Sequence, residues 1–389
     1  MKSRAKGLSS REGTARRYGL LRVASLLAAL VWAGVCYGLP LGRGVMGSAF
    51  YVATIAGDGT KGYLDGPARR ARFNWPTGVA VSDDGTIFVA DFANNMIRRI
   101  DGSGSVSTFA GSVVPGFSDG RGTGALLHGP DNIAMDASGN IFVADADNYR
   151  IRRISPDGVV STVAGSGTSG YRDGPAGKAM FGYPTGIAVD KDGVLYVADR
   201  RTHTVRKVTP DGLVVTIAGN GHPGYADGRS TAALLREPIS VAVAEDGIVY
   251  VADSGNNLIR MIGPDGTVKT LAGGLARGYR DGSGSEALFN WPTGIAVDPQ
   301  GNLYVCDSGN NKIRRITPTG TVSTVAGSLT PGSADGHGLR SGFNFPTGIA
   351  VDRFGTIYVA DSGNNMIRRI THGRVREAAL GPAGLPEVL

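Results

Sequence analysis

Two copies of a repeated Pro-Thr-Gly motif carry polar residues whose oxygen atoms suit a ligand or a divalent cation. Asp131 and Asn132 stand where other copies have Thr-Gly, and Glu237 and Ser240 flank the proline of another copy. A hard cation needs several oxygen ligands that converge on one point. Two copies supply few such ligands. These residues are explained either by ligand binding, with Asp131 and Asn132 as weak metal candidates, or by simple drift of a repeated sequence.

A histidine and a series of tyrosines are the other candidate ligand-binding residues. His203 stands where most copies have asparagine, and the remaining histidines lack the spacing typical of metal ligands. Tyr171, Tyr225 and Tyr279 recur in a long loop, where they either contact a ligand or anchor the loop. The sequence contains no convincing Ser-His-Asp order, phosphate-binding loop or dinucleotide fingerprint. We therefore predict no catalytic residues.

All of these residues belong to a repeat with a period of 54 residues. A proline precedes the first apolar strand of each copy, and an aspartate ends the next strand. The prolines are Pro76, Pro130, Pro184, Pro238, Pro292 and Pro346, and the aspartates are Asp91, Asp145, Asp199, Asp253, Asp307 and Asp361. Self-similarity at one fixed period is typical of solenoids, propellers and arrays.

Each copy predicts four short strands. In the third copy, the runs 187–189, 194–198, 205–208 and 213–218 are rich in β-branched and aromatic residues, and turn residues separate them. The strands are apolar on both faces, so each sheet must be covered on both sides. Radial stacking of sheets provides that cover. We therefore predict an all-β, six-bladed β-propeller of four-stranded antiparallel blades.

The two ends of the chain both offer a strand that could close the ring. The fourth strand has five internal copies, a sixth at 51–57 and a degraded candidate at 374–379. The fourth strand of the repeat ends in Thr-x-Ala-Gly, and the N-terminal copy keeps Thr54, Ala56 and Gly57 of this ending. We predict that it completes the last blade and so leaves no open sheet edge.

The first 41 residues predict export from the cytoplasm. Residues 1–22 hold seven Lys or Arg and one Glu, and residues 23–41 are largely apolar, which is typical of a secretory signal or an uncleaved signal anchor. We expect a basic cytoplasmic leader (1–22), an N-terminal apolar helix or signal segment (23–41), a linker (42–50), the propeller (51–376) and a tail (377–389). With the basic segment inside, the propeller is extracytoplasmic.

The charge distribution argues against a nucleic-acid partner. The formal net charge is +7, and residues 1–22 supply six of these charges. The rest of the chain has 33 basic and 32 acidic residues. Because the basicity lies on the leader, we expect no nucleic acid to bind the repeats. The two cysteines, Cys36 and Cys306, form no disulfide framework.

The repeat resembles the NHL repeat. The resemblance is carried by PTGIAVD at 292–298 and NLYVCDSGNNKIR at 302–314, and it extends over 51–376. It implies a six-bladed β-propeller that is used mostly as a binding platform. Related six-bladed enzymes include gluconolactonase-like hydrolases, some with a divalent ion at the channel mouth, and peptidyl-amidoglycolate lyases. Each copy has one position that aligns with the histidine of the NHL repeat, and only His203 is a histidine.

We therefore expect an exported binding module, secreted or held in the membrane through residues 23–41. Its ligand would be a protein, peptide or glycan on the face that carries the long loops, and no cofactor is expected. The alternative is a metal-dependent hydrolase of the gluconolactonase-like type, acting on a lactone or ester. In that case Ca²⁺ or Zn²⁺ would bind at the channel mouth beside Asp131 and Asn132.

Overall fold

The computed structural model describes residues 48–374, which form a ring of six antiparallel sheets, blades 1 to 6. The innermost strand of each blade contacts the innermost strands on either side, and the sixth contacts the first. These strands are Pro76–Val81, Pro130–Met135, Pro184–Val189, Pro238–Val243, Pro292–Val297 and Pro346–Val351. The prediction of a six-bladed all-β propeller is confirmed, and the innermost strands line a central channel.

Each blade continues outward as an antiparallel meander. The second strands are Ile87–Asp91, Ile141–Asp145, Leu195–Asp199, Val249–Asp253, Leu303–Asp307 and Ile357–Asp361. The third strands are Met96–Ile100, Arg150–Ile154, Thr204–Val208, Leu258–Ile262, Lys312–Ile316 and Met366–Arg374. The fourth strands of blades 1 to 5 are Ser105–Gly111, Val159–Ala164, Leu213–Ala218, Thr267–Ala272 and Thr321–Ala326. Tight turns that contain a glycine connect strands 1 and 2 in every blade, and strands 3 and 4 in blades 1 to 5. In blade 3, for example, the Gly193 N–H donates to the Asp190 carbonyl, and Gly193 has a φ of 77°.

The predicted count of four strands per blade was wrong, because each blade has a fifth, outermost strand of two residues. These strands are Gly66–Pro67, Gly120–Arg121, Gly174–Pro175, Gly228–Arg229, Gly282–Ser283 and Gly336–His337. Each comes from the long loop before the blade and pairs with the fourth strand, as Gly66 does with Val106. The pairing shields part of the outer edge of the sheet. Two residues are too few to leave a periodic signal in the sequence.

Short 3₁₀ helices of three residues connect the strands in the described part of the chain. Five follow second strands: Phe92–Asn94, Ala146–Asn148, Ser254–Asn256, Ser308–Asn310 and Ser362–Asn364. Four lie in the long loops: Gly122–Gly124, Ser230–Ala232, Gly284–Glu286 and Gly338–Arg340. The long loops therefore have structure of their own, as their repeated apolar residues suggest.

The N-terminal strand closes the ring. Ser48–Ala56 pairs with Met366–Arg374 and forms the fourth strand of blade 6. The backbone N–H and the hydroxyl of Thr54 donate to Asp335 Oδ1 at 2.8 and 2.9 Å. The predicted closure is confirmed, although the strand begins before the expected start at Tyr51.

The hydrophobic core lies in the seams between neighbouring blades. Phe88 and Ala90 of blade 1 pack with Ile133, Val143 and Ile154 of blade 2. Equivalent clusters fill the other seams. The apolar residues on both faces of each strand are explained by this packing.

The predicted leader and tail lie outside the described residues. These are the basic segment 1–22, the apolar stretch 23–41, most of the linker 42–50 and the tail 377–389. Within residues 48–374, no helix has the length and apolar character that a membrane crossing requires.

Candidate binding site at the channel mouth

Threonine hydroxyls join neighbouring blades on the face where the innermost strands begin, which we call the mouth face. Each hydroxyl donates to the backbone carbonyl of the equivalent residue in the next blade. The bonds run from Thr77 to Asp131 (2.5 Å), Thr185 to Ile239 (2.8 Å), Thr293 to Thr347 (3.0 Å) and Thr347 to Thr77 (3.2 Å). Asp131 and Ile239 replace the threonine in blades 2 and 4, so the seams that follow these blades lack the bond.

A second set of bonds between blades uses the residue that ends the turn after each second strand. Its side chain accepts from the backbone N–H of the residue before the next blade's proline, at 2.9–3.1 Å. The acceptor–donor pairs are Asn95–Gly129, His203–Glu237, Asn257–Trp291, Asn311–Phe345 and Asn365–Trp75. His203 accepts through Nδ1 and so takes the bridging position of the asparagines. A ligand contact through His203 stays a prediction.

The seam between blades 2 and 3 lacks both kinds of bond. Asp131 replaces the threonine, and Tyr149 replaces the amide. Ala146 replaces a serine whose hydroxyl, in blades 4 to 6, donates to the next blade's proline carbonyl at 2.5 Å. Within residues 48–374, all three replacements coincide at this seam alone. The mouth face is thus least tied together where Asp131 lies.

A cavity of about 130 Å³, the mouth cavity, opens on this face of the channel. Trp75, Trp291 and Phe345 line it and form what we call the aromatic wall. The ring centroids of Trp75 and Phe345 lie 6.0 Å apart, with the ring planes tilted by 31°. All three residues have left-handed backbone conformations, with φ of 56°, 55° and 50°. This conformation is costly for bulky side chains, and strain of this kind is concentrated at functional sites.

Asn132 and Ser240 line the base of the mouth cavity, and Asn132 also lines the channel below. Nδ2 of Asn132 donates to Ser240 Oγ at 3.4 Å, and Oδ1 of Asn132 accepts the Ile133 N–H at 2.7 Å. The other four blades have glycine at this position, and a Cβ on Gly186 would lie 2.5 Å from Ser240 Cα. Below this contact, valine, isoleucine and alanine side chains from the six blades line a cavity of about 260 Å³. The mouth cavity is therefore polar where it adjoins a largely apolar channel.

Asp131 contributes a carboxylate to the mouth cavity. The backbone carbonyl of Asp131 accepts the Thr77 hydroxyl, but its carboxylate has no hydrogen-bond or ion-pair partner among residues 48–374. Burial raises the pKa of Asp131 to about 7, while Arg200 lowers this pKa and Asp147 raises it further. A recessed, unpaired carboxyl group with a perturbed pKa is typical of functional sites.

A larger pocket of about 540 Å³, the lateral pocket, shares Arg200 with the mouth cavity. Its lining residues are Asp147, Tyr183, Arg200, Arg201, His203 and Glu237. Apart from the tyrosine, each stands where blades 5 and 6 have serine, glycine, asparagine or an aromatic residue. Five departures from the repeat in blades 2 to 4 therefore meet in the lateral pocket, while Asp131, Asn132 and Ser240 line the mouth cavity.

Charge pairing organises the lateral pocket. Arg200 donates through Nε and Nη2 to Glu237 Oε2 at 3.0 and 2.8 Å. The guanidinium of Arg201, which is exposed, lies 5.5 Å from the ring centroid of Tyr183. Of the four residues predicted for the channel mouth, Glu237 alone lies in the lateral pocket, because this ion pair draws it towards blade 3.

The predicted tyrosines lie on the long loops and cover buried arginines. The guanidinium carbons lie 5.0–5.3 Å from the ring centroids in the pairs Arg206–Tyr171, Arg260–Tyr225 and Arg314–Tyr279. The tyrosines keep 41%, 46% and 39% of their surface exposed. The stacking anchors the loops, and ligand binding through the outer ring faces stays a prediction.

Sequence reasoning missed the aromatic wall and, in the lateral pocket, Asp147, Tyr183, Arg200 and Arg201 as site residues. A signal for the aromatic wall was present, because the residue before the repeated proline is aromatic in four of the six copies. Those copies carry Trp75, Tyr183, Trp291 and Phe345. In the sequence this position is that of an ordinary loop residue. Only the closed ring places these copies around one axis.

The residues at the mouth are a poor match for a divalent cation. In the described part of the chain, no group of three or more His, Cys, Asp or Glu side chains could hold a metal ion. Asp131 is the one carboxylate that lines the mouth cavity, and Asn132 already uses its carbonyl oxygen in a hydrogen bond. Hard cations need several converging oxygens, so neutral oxygens would have to complete the set.

Replacing His203 by alanine is expected to lower the free energy of unfolding by about 1–2 kcal/mol, since the Glu237 N–H loses its acceptor. His203→Asn should preserve stability at pH 8, because asparagine makes this bond in four other blades. Desolvation holds the pKa of His203 below its ordinary value of 6.5, against the influence of Glu237. Since this pKa is depressed on folding, the stabilisation is present above pH 6.5 and is lost as pH falls through the folded-state pKa.

Urea denaturation at pH 8 and pH 5 tests this prediction. Wild type and His203→Asn should coincide at pH 8, and His203→Asn should be the more stable at pH 5. The bridging role is wrong if the asparagine variant loses as much stability at pH 8 as the alanine variant.

The closed ring of six sheets, with two cavities on its mouth face, defines a six-bladed β-propeller with a candidate binding site. The family model "NHL repeat" matches residues 181–208, 235–260, 289–316 and 343–370. The model "SMP-30/Gluconolactonase/LRE-like region" matches residues 66–169. The chain carries NHL repeats and is an NHL-repeat propeller.

Curated relatives agree with this assignment. NHL repeat-containing protein 2 of Bos taurus is 30% identical over 325 residues, which cover 72% of this chain and 44% of that protein. Protein SUPPRESSOR OF QUENCHING 1, chloroplastic, of Arabidopsis thaliana is 30% identical over 68% of this chain and 27% of its own length. Teneurin-3 of Danio rerio is 29% identical over 87% and 14%. The chain spans less than half the length of each of these relatives.

Solved structures share the fold. A Bacteroides thetaiotaomicron protein of unknown function superposes with a TM-score of 0.67 at 22% identity, over 84% of this chain and 76% of that chain. An auxiliary nutrient binding protein of the same species gives a TM-score of 0.64 at 18% identity, over 84% and 77%. At these identities the likeness establishes the fold alone.

Proposed function

We propose that this protein is a binding module that holds a protein, peptide or glycan on its mouth face. One observation carries the proposal: five residues that depart from the repeat in blades 2 to 4 line the lateral pocket together. Random drift would scatter such changes over both faces of the ring. Fold alone does not select a function for a propeller, so the site must do so.

The dimensions and charges of the lateral pocket support binding. Its volume of about 540 Å³ lies in the range of about 300–1,000 Å³ that is typical of ligand sites. The guanidinium of Arg201 is exposed at its edge, while Arg200 and Glu237 hold each other in place. A rigid ion pair beside an exposed cation and an aromatic ring provides hydrogen bonds and a stacking surface for one ligand.

We further propose that the propeller lies outside the cytoplasm, secreted or anchored through residues 23–41. Support comes from the basic segment 1–22 followed by the apolar stretch. A fold neighbour is described as an auxiliary nutrient binding protein, which is compatible with a ligand taken from the surroundings. Because residues 23–389 carry nearly equal numbers of basic and acidic side chains, we expect no nucleic-acid partner.

Peptide and glycan arrays probed with the full chain test the proposal. Arg201→Glu should lower binding about tenfold, which corresponds to one lost charge-assisted contact of about 1.4 kcal/mol. Lys191→Glu is the matched control, because it makes the same charge change in an exposed turn between strands 1 and 2 of the same blade. Absence of array binding by folded wild type, or equal loss in both variants, would overturn the proposal.

The alternative function is a metal-dependent hydrolase of the gluconolactonase-like type. The match to the SMP-30/gluconolactonase-like model favours it, because residues 66–169 include Asp131 and Asn132. The single carboxylate at the mouth weighs against it. Equilibrium dialysis of the full chain with Ca²⁺ or Zn²⁺ separates the two functions. The hydrolase requires one bound ion per chain that is lost in Asp131→Asn, and absence of binding overturns it.

A further inference from the structure

The mouth cavity differs from the lateral pocket in chemistry. The aromatic wall of Trp75, Trp291 and Phe345 forms one side, and Asp131 contributes the charge. Aromatic faces carry negative charge density that attracts cations within about 6 Å of the ring centroid. The cavity therefore combines the two features that favour a positively charged group.

The carboxylate of Asp131 has no hydrogen-bonded cationic partner, although Arg200 is close enough to lower its pKa. Arg200 lines the same cavity, with its guanidinium carbon 5.6 Å from the Trp291 ring centroid, but its Nε and Nη2 both donate to Glu237. Asp147 is the other charged group near Asp131, and it has the same sign. A cationic ligand would thus supply the ion-pair partner that the described residues do not provide.

The size of the cavity limits what can enter. A volume of about 130 Å³ admits the end of one extended side chain. Asn132 and Ser240 lie at the base of the cavity, with Asn132 Nδ2 3.4 Å from Ser240 Oγ. A cationic group at the end of such a side chain would lie beside both the aromatic wall and Asp131.

We propose that the mouth cavity binds the terminal ammonium group of an aliphatic chain, held between the aromatic wall and the Asp131 carboxylate. The inference rests on the proposed binding function, because it names a group that the ligand must carry. An anionic group would be repelled by Asp131, and a neutral apolar end would leave this carboxylate desolvated without a partner. A lysine side chain and a free chain-terminal amine both offer the required chemistry.

Titration of the full chain with small amines, followed by tryptophan fluorescence, tests the proposal, since Trp75 and Trp291 both line the cavity. The probes are Nα-acetyl-lysine N-methylamide, its neutral isostere Nα-acetyl-norleucine N-methylamide, and triglycine amide with a free N-terminus. The lysine probe should bind at least tenfold more tightly than the norleucine probe. Tight binding of triglycine amide instead would assign the cavity to chain-terminal amines, and equal binding of charged and neutral probes would overturn the proposal.

Variants separate the mouth cavity from the lateral pocket. Asp131→Asn should weaken binding of the lysine probe at least tenfold, and Trp75→Leu should also weaken it. Asp211→Asn is the matched control and should change the affinity less than twofold, because Asp211 is exposed in the turn between strands 3 and 4 of blade 3 and lines neither cavity. An Asp131→Asn variant with unchanged affinity would overturn the proposal.

The pH profile gives a second readout. Burial raises the pKa of Asp131 to about 7, with Arg200 and Asp147 as the charged groups around it, while the lysine ammonium stays protonated to about pH 10. Affinity for the lysine probe should therefore fall as pH drops from 8 to 6, and a flat profile would contradict an ion pair with Asp131. Array binding that depends on Arg201 but not on Asp131 would leave the binding function standing and remove only the ammonium site. Amine binding without any array ligand would leave the ammonium site standing and overturn the proposed binding of a protein, peptide or glycan.

Discussion

Replacing Arg98 by methionine is expected to lower the free energy of unfolding by about 3–5 kcal/mol, the usual effect of removing one partner of a buried ion pair. Arg98 is fully buried, and its Nη1 donates to Asp91 Oδ2 at 2.8 Å while its Nη2 contacts Asp65. The guanidinium lies between the rings of Tyr63 and Phe73, at 4.9 and 5.2 Å. Methionine would leave the buried carboxylate of Asp91 without its cation.

Arg99 provides the matched control, because it is the next residue on the same strand and its side chain is exposed. Arg99→Met should change stability by less than about 0.5 kcal/mol. Guanidinium denaturation followed by tryptophan fluorescence compares the two variants. Adding Asp91→Asn to Arg98→Met should recover part of the loss, since it removes the unpaired charge. Equal, small losses in both single variants would show that these repeated ion pairs do not stabilise the blades.

Replacing Val52 by aspartate is expected to cost more than about 4 kcal/mol and to leave most of the protein insoluble. Val52 lies on the closing strand and is 2% exposed. It packs in the seam of blades 5 and 6 with Phe343 and Ile370. A carboxylate there would be desolvated without a partner, and the closing strand would be expelled from the sheet.

Ala53→Asp is the control for the closing strand, because successive residues of a strand point to opposite faces. Ala53 is half-buried and belongs to none of the core clusters. Its variant should remain soluble and monodisperse in size-exclusion chromatography. If Val52→Asp behaves in the same way as Ala53→Asp, the ring does not depend on its N-terminal strand.

The ring and its closure could be predicted because both depend on residues that recur in every blade. Thr54 illustrates this: it contacts Asp335 in the same way that Thr108 contacts Asp65 in blade 1. A strand that keeps such a residue must occupy the same place in its sheet. Arg98 and its equivalents recur with the same period, and the structure buries each of them fully beside two repeated aspartates.

The candidate site could be predicted only in part, because it depends on residues that do not recur. Asp131, Asn132 and Ser240 were recognisable as departures from Pro-Thr-Gly and do line the mouth cavity. That Glu237 lies in the lateral pocket could not be predicted from the sequence, since its partner Arg200 belongs to another blade. The aromatic wall combines residues of blades 1, 5 and 6, and only the closed ring brings them together.

The closing strand also imposes an order on folding. Thr54 is bonded to Asp335, which lies 281 residues further along the chain. Contacts between residues so distant in sequence form slowly, because the entropy of loop closure must be overcome before they stabilise anything. During synthesis, blades 1 to 5 can form as their residues leave the ribosome, whereas the first strand of the propeller, Ser48–Ala56, is the last to find its partner. The nascent protein therefore carries an unpaired β-edge until blade 6 has been synthesised, and during this interval the risk of aggregation is greatest.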